Sequence, residues 1–206
     1  MSKVKVTGES PRRGALVDAA LVTLFAIVFF LLAIYQLDLP GLYTDEAYDV
    51  IPAMQMALGH EVELQGNVLQ IGDFRFPLMS SSAYQGVTYT YLAVPFFAIG
   101  GVNIFSLRLM TVLVGVLGVV LTYFLGKAWF GRWEGLLATA MIALAPSWIF
   151  WSRLGVYVVS VVVPISAGAL LAFTLWSRRR PLGAKNGAFY LGCFLIGLGL
   201  ATKLLF

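Results

Sequence analysis

Cysteine is almost missing from this chain. Cys193 is the only one in 206 residues and lies inside an apolar run, so no disulfide forms within the chain and no redox compartment is legible. Histidine is equally scarce. His60, in "LGHE", has no second His and no Cys at metal-ligand spacing, which favours a polar loop position over ligation. Charge is thin, at 12% of residues. No basic run is interleaved with base-stacking aromatics on a polar face, which argues against a nucleic-acid partner. The glycine pairs in "VGVLGVV" and "IGLGLAT" do not form a phosphate loop; in apolar runs they let helices approach closely. Ser80, Ser81 and Ser82 have no base beside them in sequence and read as loop.

Apolar residues are what the chain has in excess. They make up 60% of it, with a mean hydropathy of +0.87, against about 45–50% in a soluble domain. The surplus falls into nearly uncharged runs such as Ala19 to Leu32 and Leu109 to Leu125. A run of roughly 18 or more such residues crosses a bilayer as a helix, because a helix satisfies its own backbone hydrogen bonds. The expected fold class is all-α: a polytopic transmembrane helix bundle with one large external loop carrying short interfacial helices. Lys and Arg total 14 against 10 acids, a topology signal before anything else.

Four cations (Lys3, Lys5, Arg12, Arg13) precede a first helix expected from Leu16 to Leu37, with Pro40-Gly41 beyond its end. At about 1.5 Å per residue that stretch spans about 33 Å, enough for the hydrocarbon core. It is too long for a typical signal h-region and lacks a clear cleavage site, so it reads as a retained helix. The positive-inside rule then makes residues 1–15 a cytoplasmic tail and residues 38–86 an external loop of an integral, multi-pass inner-membrane protein, with 16–206 as the membrane module.

Within the loop, Ala47 to Leu58 has helical composition, with Val50, Ile51, Met54 and Leu58 apolar on one side and Pro52 required near the first turn. Val62 to Phe76 fits a small hairpin or an irregular lid. Tyr84, Tyr89 and Tyr91 mark the next membrane entry. Further apolar segments run over Val87–Ile99, Leu107–Leu125, Leu136–Ile149, Val156–Trp176 and Ala188–Leu200. Simple alternation places Lys127, Arg132 and the cluster Arg178 to Arg180 outside, against the positive-inside rule. Val87–Ile99, short and carrying Pro95, is the segment expected not to cross, as a re-entrant or broken helix. The chain stops inside "LATKLLF", which leads us to expect a fragment or a truncated reading frame.

Chemistry concentrates in "GLYTDEAYD", where Asp45, Glu46 and Asp49 follow the first helix. A carboxylate at the mouth of a bundle is partly desolvated and suited to general-base work. Asp49 shares a helical face with Asp45, to divide base and orienting roles or to hold a divalent cation; two or three acids alone are a weak metal signal. Arg108, Arg153 and Lys203 interrupt apolar stretches. A cation at membrane depth marks a ligand or pathway unless it snorkels, and an arginine grips phosphate through its planar fork.

The order "LYTDEAYD", then "YQGVTYTYLAVPFFAIGGVNIFSLRLM", then "ALAPSWIFWSRLG", then "GLGLATK" resembles the GT-C glycosyltransferases, in particular bacterial members of the dolichyl-phosphate-mannose protein mannosyltransferase and aminoarabinose-transferase group. The resemblance spans about Leu16 to Phe206, the N-terminal half of such an enzyme. It implies transfer of a sugar from a polyprenyl-phosphate donor to a glycan, lipid or protein acceptor on the external face, with no cofactor beyond a possible divalent cation. It implies Asp45 as base or acceptor-orienting acid with Glu46 beside it, and Arg108, Arg153 and Lys203 near the donor phosphate; Asp49 is a candidate helper from its place on the same helical face. One departure stands out: "SRLGVYVVS" lacks the second acid that many relatives carry after the "SR" position. Two other readings remain open at this point, a lipid-linked sugar translocation module and a catalytically inactive remnant.

Overall fold

A computed structural model of the chain describes residues 11–39, 41–60, 62, 68–72, 74–78, 86–154, 157–178 and 186–203. The expectations placed on the N-terminal tail before residue 11, on Ser80 to Ser82 and Tyr84, and on Arg179 and Arg180 lie outside the described residues. So do the side chains of Asp45 and Asp49. Eight helices and one two-stranded ribbon occupy the described residues. Helix α1 runs over Pro11–Ile34, α2 over Thr44–Ala57, α3 over Thr88–Gly100 and α4 over Ile104–Trp129. Then come α5 (Arg132–Leu144), α6 (Pro146–Arg153), α7 (Tyr157–Arg178) and α8 (Gly187–Thr202), while strands β1 (Val68–Ile71) and β2 (Phe74–Pro77) lie between α2 and α3. The all-α polytopic bundle holds: α1, α4 and α7 each contain a stretch long and apolar enough to cross a membrane, and α5 with α6 makes a bent apolar pair, a broken span or a re-entrant loop.

Helix α4 is the hub. Its Leu107 and Met110 join Tyr89, Ala93 and Phe97 of α3, Ala53 of α2 and Val161 and Ile165 of α7 in one buried cluster. On its other side, Val112 and Val119 pack with Phe29, Ala33 and Leu37 from the α1 end and Trp148 of α6. Glycines make these approaches close. A Cβ on Gly126 would lie 2.9 Å from the Gly135 Cα, and one on Gly118 would lie 2.7 Å from the Trp148 ring.

The direction of each helix follows from its end contacts. Helix α4 runs against α1, since Arg108 reaches Leu37 while Lys127 reaches Asp18. Helices α5 and α6 return beside α4, from the Gly126–Gly135 contact to a Thr111–Ser152 hydrogen bond. Helix α7 descends again, starting where Ser160 bonds the Trp151 carbonyl and ending where Arg178 donates to the Ala128 carbonyl. Helix α8 comes back against it, and its Thr202 carbonyl accepts from the Gly86 amide at 3.0 Å.

Both ends of α3 therefore lie at one end of the bundle. Its start adjoins Thr202, and the Gly100 carbonyl accepts from Asn103, which caps the first turn of α4 through the Ser106 amide at 2.8 Å. With 13 residues, about 20 Å of helix, α3 also falls short of a hydrocarbon core about 30 Å thick. The topology conflict dissolves once α3 is not counted as a crossing: Lys127, Arg132 and Arg178 join Arg12 and Arg13 at the N-terminal end.

Three expectations need correction. Leu136–Ile149 is two helices bent by 56°, not one segment. The break falls at Ala145, held extended (φ −66°, ψ 117°) because the residue before a proline avoids the helical region, and Pro146 then starts α6. Pro52 sits in the interior of α2 rather than its first turn. The buried face of α2 is Val50, Ala53, Met54 and Ala57, whereas Ile51 and Leu58 are exposed. Packing of that face on α3 compensates for the hydrogen bond that Pro52 cannot donate. Between α2 and α3, the open choice of hairpin or lid resolves to an antiparallel hairpin with Leu69 opposite Phe76. Gly72 takes the positive φ (60°) of its tight turn, and Tyr91 Oη, 2.7 Å from the Pro77 carbonyl, fastens it to α3.

Candidate functional site

Helix α2 begins against the end of α1, and a buried ion pair holds it there. Glu46 is the third residue of α2 and Arg108 lies one turn into α4; neither side chain has any exposed surface. Arg108 Nε donates to Glu46 Oε1 at 2.7 Å and Nη2 to Oε2 at 2.9 Å, the two-pronged geometry that a guanidinium offers a carboxylate. The same guanidinium donates to the Leu37 carbonyl at 2.7 Å and the Gly41 carbonyl at 3.0 Å. Glu46 Oε2 also accepts from the Tyr43 amide at 3.0 Å, which satisfies one donor at the helix start. One side chain thus joins the segment that follows α1, α2 and α4.

Arg153, the last residue of α6, works on the neighbouring carbonyls. Its Nη2 donates to Tyr35 O at 2.7 Å and to Gln36 O at 3.1 Å. Gln36 has φ +49°, the left-handed conformation in which helices commonly end. Two arginines from distant elements therefore cap three successive carbonyls at the end of α1, where exposed C=O groups and the helix dipole favour positive charge. Thr111 Oγ1, 2.9 Å from both Arg108 O and Ser152 O, keeps the two arginine-bearing elements in register.

The expected site residues are placed as follows. Asp45 and Asp49 lie on the α2 backbone, one turn apart, with Asp45 directly before the clamped Glu46. Glu46 and Arg108, expected as a catalytic acid and a phosphate ligand, are brought together and engage each other. Arg153 is part-exposed at the same end of the bundle. Lys203 caps α8 there too, with its amide on Gly199 O at 3.0 Å and its backbone bridged to Gly86. Among the described residues, no group of three or more His, Cys, Asp or Glu comes together.

Below this end an apolar groove of about 710 Å³ runs between α3, α4, α7 and α8, lined by Val87, Tyr91, Leu117, Pro164, Leu171 and Leu195 among others.

Sequence reasoning passed over Asp18. It is buried in α1 at the opposite end, bonded to Tyr123 Oη at 2.5 Å, Lys127 Nζ at 2.9 Å and Arg132 Nε at 2.5 Å. Its signal was present: a lone acid in an otherwise apolar helix must find cations, and Lys127 and Arg132 end and begin the two helices that α1 packs on.

Residues 85–206, more than half of the chain, match the family described as dolichyl-phosphate-mannose-protein mannosyltransferase. The matched region carries Arg108, Arg153 and Lys203 and begins after α2. No curated protein and no solved structure matches the chain.

Proposed function

We propose that this chain, which belongs to the dolichyl-phosphate-mannose-protein mannosyltransferase family, moves a sugar from a polyprenyl-phosphate donor to an acceptor hydroxyl at the end of the bundle that carries α2. Family membership makes it a membrane glycosyltransferase of the GT-C type, acting between a lipid-linked sugar and an acceptor. The external face, with residues 1–15 on the cytoplasmic side, follows from the charge distribution.

The observation that carries the reading is the Glu46–Arg108 clasp. It fixes the first turn of α2, and so the backbone position of Asp45, against α4 and the segment that follows α1. A catalytic base is effective only when held at a defined distance from the proton it takes. Asp45 takes the acceptor hydroxyl proton as that oxygen attacks the anomeric carbon. The bond from that carbon to the phosphate oxygen breaks, and the polyprenyl phosphate leaves with the electron pair. Attack opposite the leaving group inverts the anomeric centre. Arg153 and Lys203 at the same end offset the negative charge of the leaving phosphate, and the α3–α4–α7–α8 groove takes the isoprenoid chain. Glu46 and Arg108 position this machinery, and Asp49, one turn after Asp45, orients the acceptor.

The test is Asp45→Asn in the protein in native membranes, supplied with labelled polyprenyl-phosphate sugar. Transfer should be lost while membrane insertion and protein level stay unchanged; wild-type turnover refutes the role. Movement of the labelled lipid across the bilayer without any glycosyl product would favour a translocation module instead.

A further inference from the structure

The Asp18 cluster has no part in that reaction, since it lies at the other end of the bundle. Beside it a second cleft of about 580 Å³ opens between α1 and α4. Ala15, Ala19 and Ala26 on α1 are too small to fill the space facing Leu113, Val116 and Val120 on α4. Polar character is concentrated at one end of it, at Asp18, Tyr123 and Lys127. An apolar cleft at membrane depth is filled by hydrocarbon rather than water. Among the described residues, Arg12, Arg13, Lys127, Arg132 and Arg178 gather at this end of the bundle with Asp18 and Glu134.

We propose that this cleft binds an anionic phospholipid, with an acyl chain between α1 and α4 and the headgroup phosphate on Lys127 and Arg132. The geometry suits that ligand on three counts. Asp18 is 5% exposed and its two oxygens already accept from Lys127 and Arg132, so it presents no open negative charge to the phosphate. Lys127 remains 44% exposed and uses two of its three donors on Asp18 and Tyr123. Arg132 is 26% exposed on the same carboxylate. Lys127 thus lines the polar end of an unfilled apolar slot, with Arg132 beside it on Asp18, the arrangement in which basic pockets between membrane helices select acidic lipids. The proposal does not depend on glycosyl transfer, and its readout is binding.

The experiment is native mass spectrometry of the purified full chain, released from micelles doped with equal phosphatidylglycerol and phosphatidylcholine of identical acyl chains. Retention should favour phosphatidylglycerol, by about fivefold for each cation engaged. Lys127→Gln should bring the ratio towards parity, with Arg132 still holding Asp18. Ala19→Leu, which fills the slot and leaves every charge in place, should reduce retention of both lipids. Equal retention of the two lipids by the wild type overturns the proposal, as does undiminished phosphatidylglycerol retention in Ala19→Leu. Complete displacement of phosphatidylglycerol by millimolar inorganic phosphate would reduce the site to a headgroup-free anion site, and a dimer abolished by Ala19→Leu would assign the cleft to a second copy. Should Lys127→Gln fail to fold, the wild-type ratio and Ala19→Leu decide the question.

Discussion

Replacing Glu46 by Gln keeps the shape of the side chain and removes its charge, which isolates the clasp. Both partners are wholly buried, so the attraction between them is not screened by water or salt. Removing one member of such a pair strands the other charge in a low-dielectric site at a cost of about 3–5 kcal/mol, whereas an exposed pair costs about 0–1 kcal/mol. Gln still accepts one hydrogen bond from Arg108, which puts this variant near the lower figure. Arg108→Met removes more, because the Leu37 and Gly41 carbonyls lose their donor as well. The buried Leu37 carbonyl left unpaired adds about 1–3 kcal/mol, while that of exposed Gly41 can turn to water. The arginine variant should therefore be the worse of the two, although both break the same ion pair.

The assay is reversible unfolding in mixed micelles, read by far-ultraviolet circular dichroism, for wild type, both single variants and the double. Since the two substitutions break one interaction, the double should cost less than the sum, with a coupling of about 0.5–3 kcal/mol. Against a total stability of about 5–15 kcal/mol these are large fractions. A Glu46→Gln cost below about 1 kcal/mol with additive behaviour in the double variant would mean that the clasp contributes no more than a surface pair. Such a clasp would not hold Asp45 in place.

Other expectations follow from single contacts. Gly86→Ala builds a Cβ 1.4 Å from the Ala201 carbonyl oxygen; this is backbone and cannot swing away, so the α3–α8 junction should part, at about 1–3 kcal/mol or more by the same unfolding assay. Arg153→Gln loses the caps on Tyr35 and Gln36, worth about 0.3–1 kcal/mol at a helix end, yet should cut transfer far more than stability. Unchanged donor KM and kcat in Arg153→Gln would leave it a cap alone. Reporter fusions at residues 130 and 182 should read on the same side as the N-terminus, and a fusion at residue 104 on the opposite side. A fusion at residue 104 that reads on the N-terminal side, with 130 opposite, would break the topology argued from α3.

The membrane helices were legible because length and lack of charge are local properties. Residues 104–129 announce a span without reference to anything else in the chain. Proline was a poorer guide. Pro146 ends one helix and begins another, while Pro52 and Pro164 lie inside continuous helices. What differs is the packing available to replace the lost hydrogen bond, and that depends on neighbours far away in sequence. The roles of the cations were hidden for the same reason. Nothing near Arg108 in sequence shows that its partner lies 62 residues earlier, or that the end of α1 needs a donor. The choice between snorkelling and ligand binding omitted a third use, helix capping, which both Arg108 and Arg153 serve.

That third use divides the electrostatics of the two ends. At the α2 end, Arg108 and Glu46 cancel one for one out of contact with solvent, so an arriving phosphate finds no net charge in the clasp. Its charge has to be met by cations that keep some exposed surface, and Arg153 and Lys203 have it. At the Asp18 end one carboxylate faces two cations, and both of these keep some exposed surface. The proposed roles, donor recognition for Arg153 and Lys203, positioning for Glu46 and Arg108, and lipid anchoring for Lys127 and Arg132, are thus separable. A substitution at any one pair should leave the readouts of the other two in place, provided that the bundle still folds.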